Sequence, residues 1–163
     1  MKLADLNVLD EAAFVAALGG VFEHSPWVAR RAHASRPFAG VDALHEAMLA
    51  VVRAATYDEQ LALIRAHPDL GEKVGVLTEH SRSEQAGLGL DRLAPDEYER
   101  FMTTNAAYRE KFGIPFVVCV REHTKDSILA NADARLGNSR DEEIETALGE
   151  IAKIARLRLE DAL

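Results

Sequence analysis

Cysteine is nearly missing from this chain of 163 residues. Cys119 stands alone, so no intrachain disulfide can form, and nothing points to an oxidising compartment. A lone cysteine usually behaves as a small buried hydrophobe, and Cys119 has no local partner that would make it a nucleophile. Positive charge is also short: 19 Lys and Arg against 27 Asp and Glu leave a formal net charge of −8. That is the wrong sign for nucleic acid or for an anionic membrane surface. No apolar run approaches the roughly 20 residues that a membrane span needs. The opening "MKLADLNVLD" lacks the apolar core of a secretory signal, so a cytoplasmic location is expected. Also lacking are a glycine-rich phosphate loop, G-x-S-x-G, C-x-x-C and any His or Cys spacing suited to a metal. These absences set aside nucleotide cofactors and covalent serine or cysteine chemistry, and neither cofactor nor metal is expected.

What is present reads as helix. An apolar content of 48% over this length supports a single globular domain covering 1–163. Asp10 caps "EAAFVAAL", and Gly19-Gly20 stops it. Ser25 is placed to cap a helix whose first residue is Pro26. "VDALHEAMLAVVRAA" is one long helical run. Thr56 with Glu59, and Ser139 with Glu142, have capping-box spacing. Pro95 opens and Gly113 closes another helix, and Thr124 and Gly137 bracket the next. The β-branched run "IPFVVCV" (114–120) has no partner strand, so a buried extended segment is expected there, or the start of a helix. The glycine-bearing stretch 71–93 is the least regular, the kind of segment that often carries function. The expected architecture is all-α, a single-domain bundle of about seven to eight helices.

Three polar residues stand out. In the last helix Ile144, Leu148, Ile151, Ala155, Arg158 and Ala162 follow four-three spacing and form one stripe, with Arg156 on the opposite, more polar side. Arg158 therefore faces the core or a cleft. A guanidinium stays charged, so it needs an anionic ligand, an internal Asp or Glu, or a route back to water. His67, in "IRAHPDL", precedes a proline and so sits at a helix edge rather than inside one. It is either a surface residue or a side chain reaching into a cleft. In "SRSEQ", Ser81 and Glu84 have capping-box spacing and can simply start a helix. Alternatively Glu84 points into a cleft and pairs with His67, an acid–base arrangement. The two readings are compatible.

Five blocks then occur in order: "LGGVFEHSPWVA", "AHPDLG", "SRSEQAGLGLDRL", "NAAYREKFGIPFVVCV" and "EIAKIARLRLEDAL". Together they resemble the family of 2-oxo-4-hydroxy-4-carboxy-5-ureidoimidazoline (OHCU) decarboxylases. The resemblance implies an all-helical, homodimeric, cofactor-free enzyme of urate breakdown that converts OHCU to (S)-allantoin and carbon dioxide. It implies catalytic roles for His67, Glu84 and Arg158. It also implies substrate contacts from Pro68, Ser81 and Gln85, and from backbone near "PFVVCV", where Val117 and Cys119 are the candidates. Ile114 replaces a phenylalanine common in the family, a mild change of cleft shape. Two rival readings remain on the sequence alone. One is a hydrolysis or isomerisation of a related ureido-imidazoline by the same residues. The other is a non-catalytic helical bundle that binds partners.

Overall fold

A computed structural model describes residues 1–71 and 77–163, and the described residues contain helices and turns but no strand. Nine α-helices occur among them: α1 (Leu3–Leu6), α2 (Glu11–Leu18), α3 (Trp27–Ala32), α4 (Val41–Ala54), α5 (Tyr57–Arg65), α6 (Glu79–Gly87), α7 (Pro95–Phe112), α8 (Lys125–Arg135) and α9 (Arg140–Ala162). The all-α class is as the sequence indicated. The two helices beyond the seven marked by caps and stops are α1, a single turn, and α6, which lies inside the stretch expected to be irregular. Residues 72–76 of that stretch lie outside the described residues.

The caps explain most boundaries. Asp10 Oδ1 accepts from Ala13 N–H at 2.8 Å. Thr56 and Glu59 form a reciprocal box at the start of α5, as Ser139 and Glu142 do before α9. Gly113 ends α7 in the left-handed conformation (φ 69°) that its missing Cβ permits. Two expected caps are corrected. α3 begins at Trp27, because Pro26 occupies the cap position and the Ser25 hydroxyl donates instead to the Glu23 carbonyl at 2.8 Å. α6 is capped by Thr78, whose hydroxyl accepts from Ser81 N–H at 3.2 Å, so Ser81 and Glu84 lie within the helix and do not start it.

The chain divides into two compact units, Met1–Ala66 with Ala152–Leu163, and His67–Ile151. The first has Phe14, Leu18, Val28, Leu44, Met48 and Leu63 among its buried residues. In α4 the buried positions Leu44, Met48 and Val52 recur every fourth residue, one face of a helix. In the second unit, α7 buries Phe101, Asn105, Tyr108 and Phe112 at four-three-four spacing. Residues 114–120 are buried throughout, and 114–119 lie in neither helix nor strand, as expected of an extended segment without a sheet, before a 3-10 turn begins at Val120. The stripe on α9 is also observed: Ile144, Ile151, Ala155 and Arg158 are buried, while Glu145, Gly149 and Glu160 are exposed.

Candidate active site

In the second unit the loop after α5 places His67 outside the helix, 6% exposed, with Pro68 half-buried. The three residues that follow are each tied down. Asp69 accepts from Arg109 Nε at 3.1 Å, Leu70 C=O accepts from Asn105 Nδ2 at 2.9 Å, and Gly71 N–H donates to Gln85 Oε1 at 3.0 Å. Gly71 has φ 81°, and a Cβ there would meet Leu93 Cδ1 at 3.1 Å, so only glycine fits without displacement. A buried histidine is thus mounted on a loop fastened to two helices, and its backbone has little freedom to move.

α6 carries Ser81, Glu84 and Gln85 at three- and four-residue spacing, which puts them on one face of the helix. Ser81 and Gln85 are buried. Gln85, read as a ligand contact, spends its side-chain oxygen on Gly71, so it builds the His67 loop whatever else its amide does. Glu84 Oε2 lies 3.9 Å from Arg121 Nη2, in the short 3-10 turn Val120–Glu122. The carboxylate-to-guanidinium approach keeps a negative charge close to the end of the extended segment.

That segment is itself held by side chains. Val117 C=O accepts from Arg135 Nη1 at 2.7 Å, and Cys119 N–H donates to Glu150 Oε1 at 3.2 Å. Burial, followed by the charges of Glu122, Glu150 and Glu84, pushes the Cys119 thiol up to about 11. At neutral pH it stays protonated and unreactive, consistent with a packing role and not with a nucleophile. Other histidines have structural partners: His33 Nε2 meets Leu9 C=O at 3.1 Å, His45 Nε2 meets Ala152 C=O at 2.8 Å and His123 Nδ1 meets Ser127 Oγ at 2.9 Å.

The first unit holds Arg158, 1% exposed. Its Nη1 meets Gly20 C=O and Val21 C=O at 3.3 Å each and Glu23 Oε1 at 3.2 Å. Of the three fates open to a buried guanidinium, an internal acid is realised, and snorkelling to water is not. Arg156 pairs with Asp42 and Glu160 on the more exposed side, as the stripe implied. The sequence reading missed Glu23, Asn105, Arg121, Arg135 and Glu150. Glu23 lies within the apolar turn "GGVFEHS" and Arg135 at the end of a helix, where a basic residue usually serves the helix dipole. Neither position advertises burial.

Buried histidine, carboxylate and guanidinium groups on a wholly helical scaffold, with the single thiol held inert, mark the class: an α-helical enzyme of acid–base character. Residues 7–160 match the family model described as OHCU decarboxylase, and the chain belongs to that family. It is 46% identical over 161 residues to the 2-oxo-4-hydroxy-4-carboxy-5-ureidoimidazoline decarboxylase of Halalkalicoccus jeotgali, covering 99% of this chain and 91% of that one. It is 47% identical over 159 residues to the protein of the same name from Haloferax volcanii, covering 98% and 94%. Among solved structures, a crystal structure of (S)-allantoin synthase matches with a TM-score of 0.78 at 32% identity, covering all of this chain and 54% of that one.

Proposed function

We propose that the chain is a carboxy-lyase that converts OHCU to (S)-allantoin and carbon dioxide in urate catabolism, with His67, Glu84 and Arg158 as its catalytic residues. The observation that carries this reading is the family match over 7–160, which takes in all three residues. The match also runs through both compact units, which supports 1–163 as one functional domain. The substrate bears a carboxylate on a tetrahedral carbon next to a ring C=N. When the carbon–carboxylate bond breaks, its electron pair forms a C=C bond and the C=N pair moves to nitrogen, which takes a proton. Loss of the hydroxyl proton and protonation of the neighbouring carbon then give the carbonyl product. The ring itself is the electron sink, so the chain's task is proton transfer and orientation.

In this scheme His67 moves the hydroxyl proton, and its pinned loop supplies the fixed geometry that general acid–base catalysis requires. Glu84 hydrogen-bonds ring or ureido N–H groups and orients the histidine. Arg158 anchors the anionic oxygen, a task suited to its planar fork. Pro68, Ser81, Gln85 and the backbone at Val117 and Cys119 shape the contact surface and fix which face is protonated. The active form is a cytoplasmic homodimer, testable by light scattering on eluted protein.

The direct test uses OHCU made freshly from urate with uricase and the ring hydrolase, followed by circular dichroism as the protein is added. Rapid formation of optically active (S)-allantoin with carbon dioxide release is expected. Decay at the uncatalysed rate to racemic product would overturn the decarboxylase reading. Turnover without carbon dioxide would point instead to hydrolysis or isomerisation.

A further inference from the structure

Glu23 is as deeply buried as the arginine it faces, with both side chains 1% exposed. A carboxylate is removed from water at a large cost unless it meets a cation and hydrogen-bond donors. Here it sits in the six-residue turn after Gly19, and that turn is shaped around one nitrogen. Two main-chain carbonyls, Gly20 and Val21, and the Glu23 carboxylate all lie 3.2–3.3 Å from Arg158 Nη1. Three acceptors from four consecutive residues thus meet one donor group. The turn then passes through a left-handed residue, His24 (φ 45°), which follows the three acceptors and leads the chain on to α3. Ser25 locks the turn from the far side, its hydroxyl on the Glu23 carbonyl and its N–H on the Phe22 carbonyl at 3.1 Å. Buried Val21 and Phe22 anchor it in the core.

We propose that Glu23 is a positioning residue for the reaction. It sets the place and orientation of the Arg158 guanidinium and offsets part of its charge, so that the arginine is already aligned when an anionic oxygen arrives. The inference rests on the reading that Arg158 anchors the substrate. A counter-ion needed only for folding would leave the kinetics of the folded enzyme untouched, and a positioning residue would not.

The test is the steady-state kinetics of OHCU turnover for wild type, Glu23→Asp, Glu23→Gln, Arg158→Gln and the double variant Glu23→Gln/Arg158→Gln. Each is first shown to be folded by far-ultraviolet circular dichroism. Glu23→Asp keeps the charge but withdraws it by one methylene, and it carries the test if Glu23→Gln does not fold. We expect kcat/KM to fall about ten- to a hundredfold in both single Glu23 variants, the scale of a misplaced positioning group. We expect no further loss from Glu23→Gln once Arg158 is already replaced, because the two act as one unit. Wild-type kcat and KM in a folded Glu23 variant would overturn the inference, as would an equal loss from Glu23→Gln with or without Arg158. An inactive wild type would overturn the role of Arg158 itself, and this inference with it.

Discussion

Arg135 and Arg158 are both shut away from water, at 5% and 1% exposure, yet the protein surrounds them differently. Every nitrogen of Arg135 has a protein partner: Nε donates to Glu143 Oε1 at 2.7 Å, Nη1 to Val117 C=O at 2.7 Å and Nη2 to the Tyr108 hydroxyl at 3.4 Å. Its guanidinium also lies 4.5 Å from the Phe116 ring centroid and 5.6 Å from that of Tyr108. Glu143 is completed by the Tyr108 hydroxyl at 2.6 Å and Asn138 Nδ2 at 2.8 Å. These bonds close a network around the buried pair. At Arg158, Gly20 C=O, Val21 C=O and Glu23 Oε1 meet Nη1 at 3.2–3.3 Å, all from the turn between α2 and α3. Burial of a charge, taken alone, does not mark a functional group. Arg135, bonded to Val117 C=O, suits a clamp that holds the 114–120 segment in place. Arg158 meets a single turn of chain, whose Glu23 is proposed to keep it aligned for a ligand.

Substitution at the two sites separates these roles. Arg135→Met leaves Glu143 buried without its cation and is expected to lower stability by about 3–5 kcal/mol in urea titration. A loss well under that range would mean the network is not closed. Arg158→Lys keeps the charge but loses the fork, and its main effect is expected on kcat/KM with the fold retained. Wild-type kinetics would make Arg158 a structural ion pair like Arg135. Tyr108→Phe removes one donor to Glu143 while keeping the ring, at an expected cost of about 1–2 kcal/mol by thermal melt, with activity preserved.

The smallest effect concerns Cys119, at the end of the clamped segment. Burial raises its thiol to about 11, so the folded state holds a proton that the unfolded state releases near the ordinary value. Its contribution to stability is therefore complete below about 8.5 and lost as pH rises toward the raised value. Native protein should not react with a thiol reagent at pH 8, and urea-unfolded protein should react fully. Ready labelling of the native state would show that the segment opens.

The helices were legible because caps and stops are local chemistry. Asp10, Thr56, Thr124, Ser139 and Gly113 each act within one turn of their own position. Ser25 and Ser81 misled for the same reason: a serine before a proline, or three residues before an acid, has the local pattern of a cap. Which serine serves is settled by neighbours, here Glu23 C=O and Thr78. Arg158 was legible because a charge in an apolar stripe breaks a period. Its partner was not, since Glu23 lies 135 residues away, in a turn with no regular period. The fastening of the His67 loop by Asn105, Arg109 and Gln85 was hidden likewise, because it spans 14 to 40 residues of sequence.

His67 on its pinned loop is proposed to carry the proton transfer of OHCU decarboxylation. The most direct test follows fresh OHCU by circular dichroism with wild type and His67→Ala side by side, after both are shown to melt alike. Rapid (S)-allantoin formation by wild type is expected, with a loss of roughly 10²–10⁴-fold in the variant, the usual worth of a general acid–base group. Equal turnover by the two proteins would contradict it.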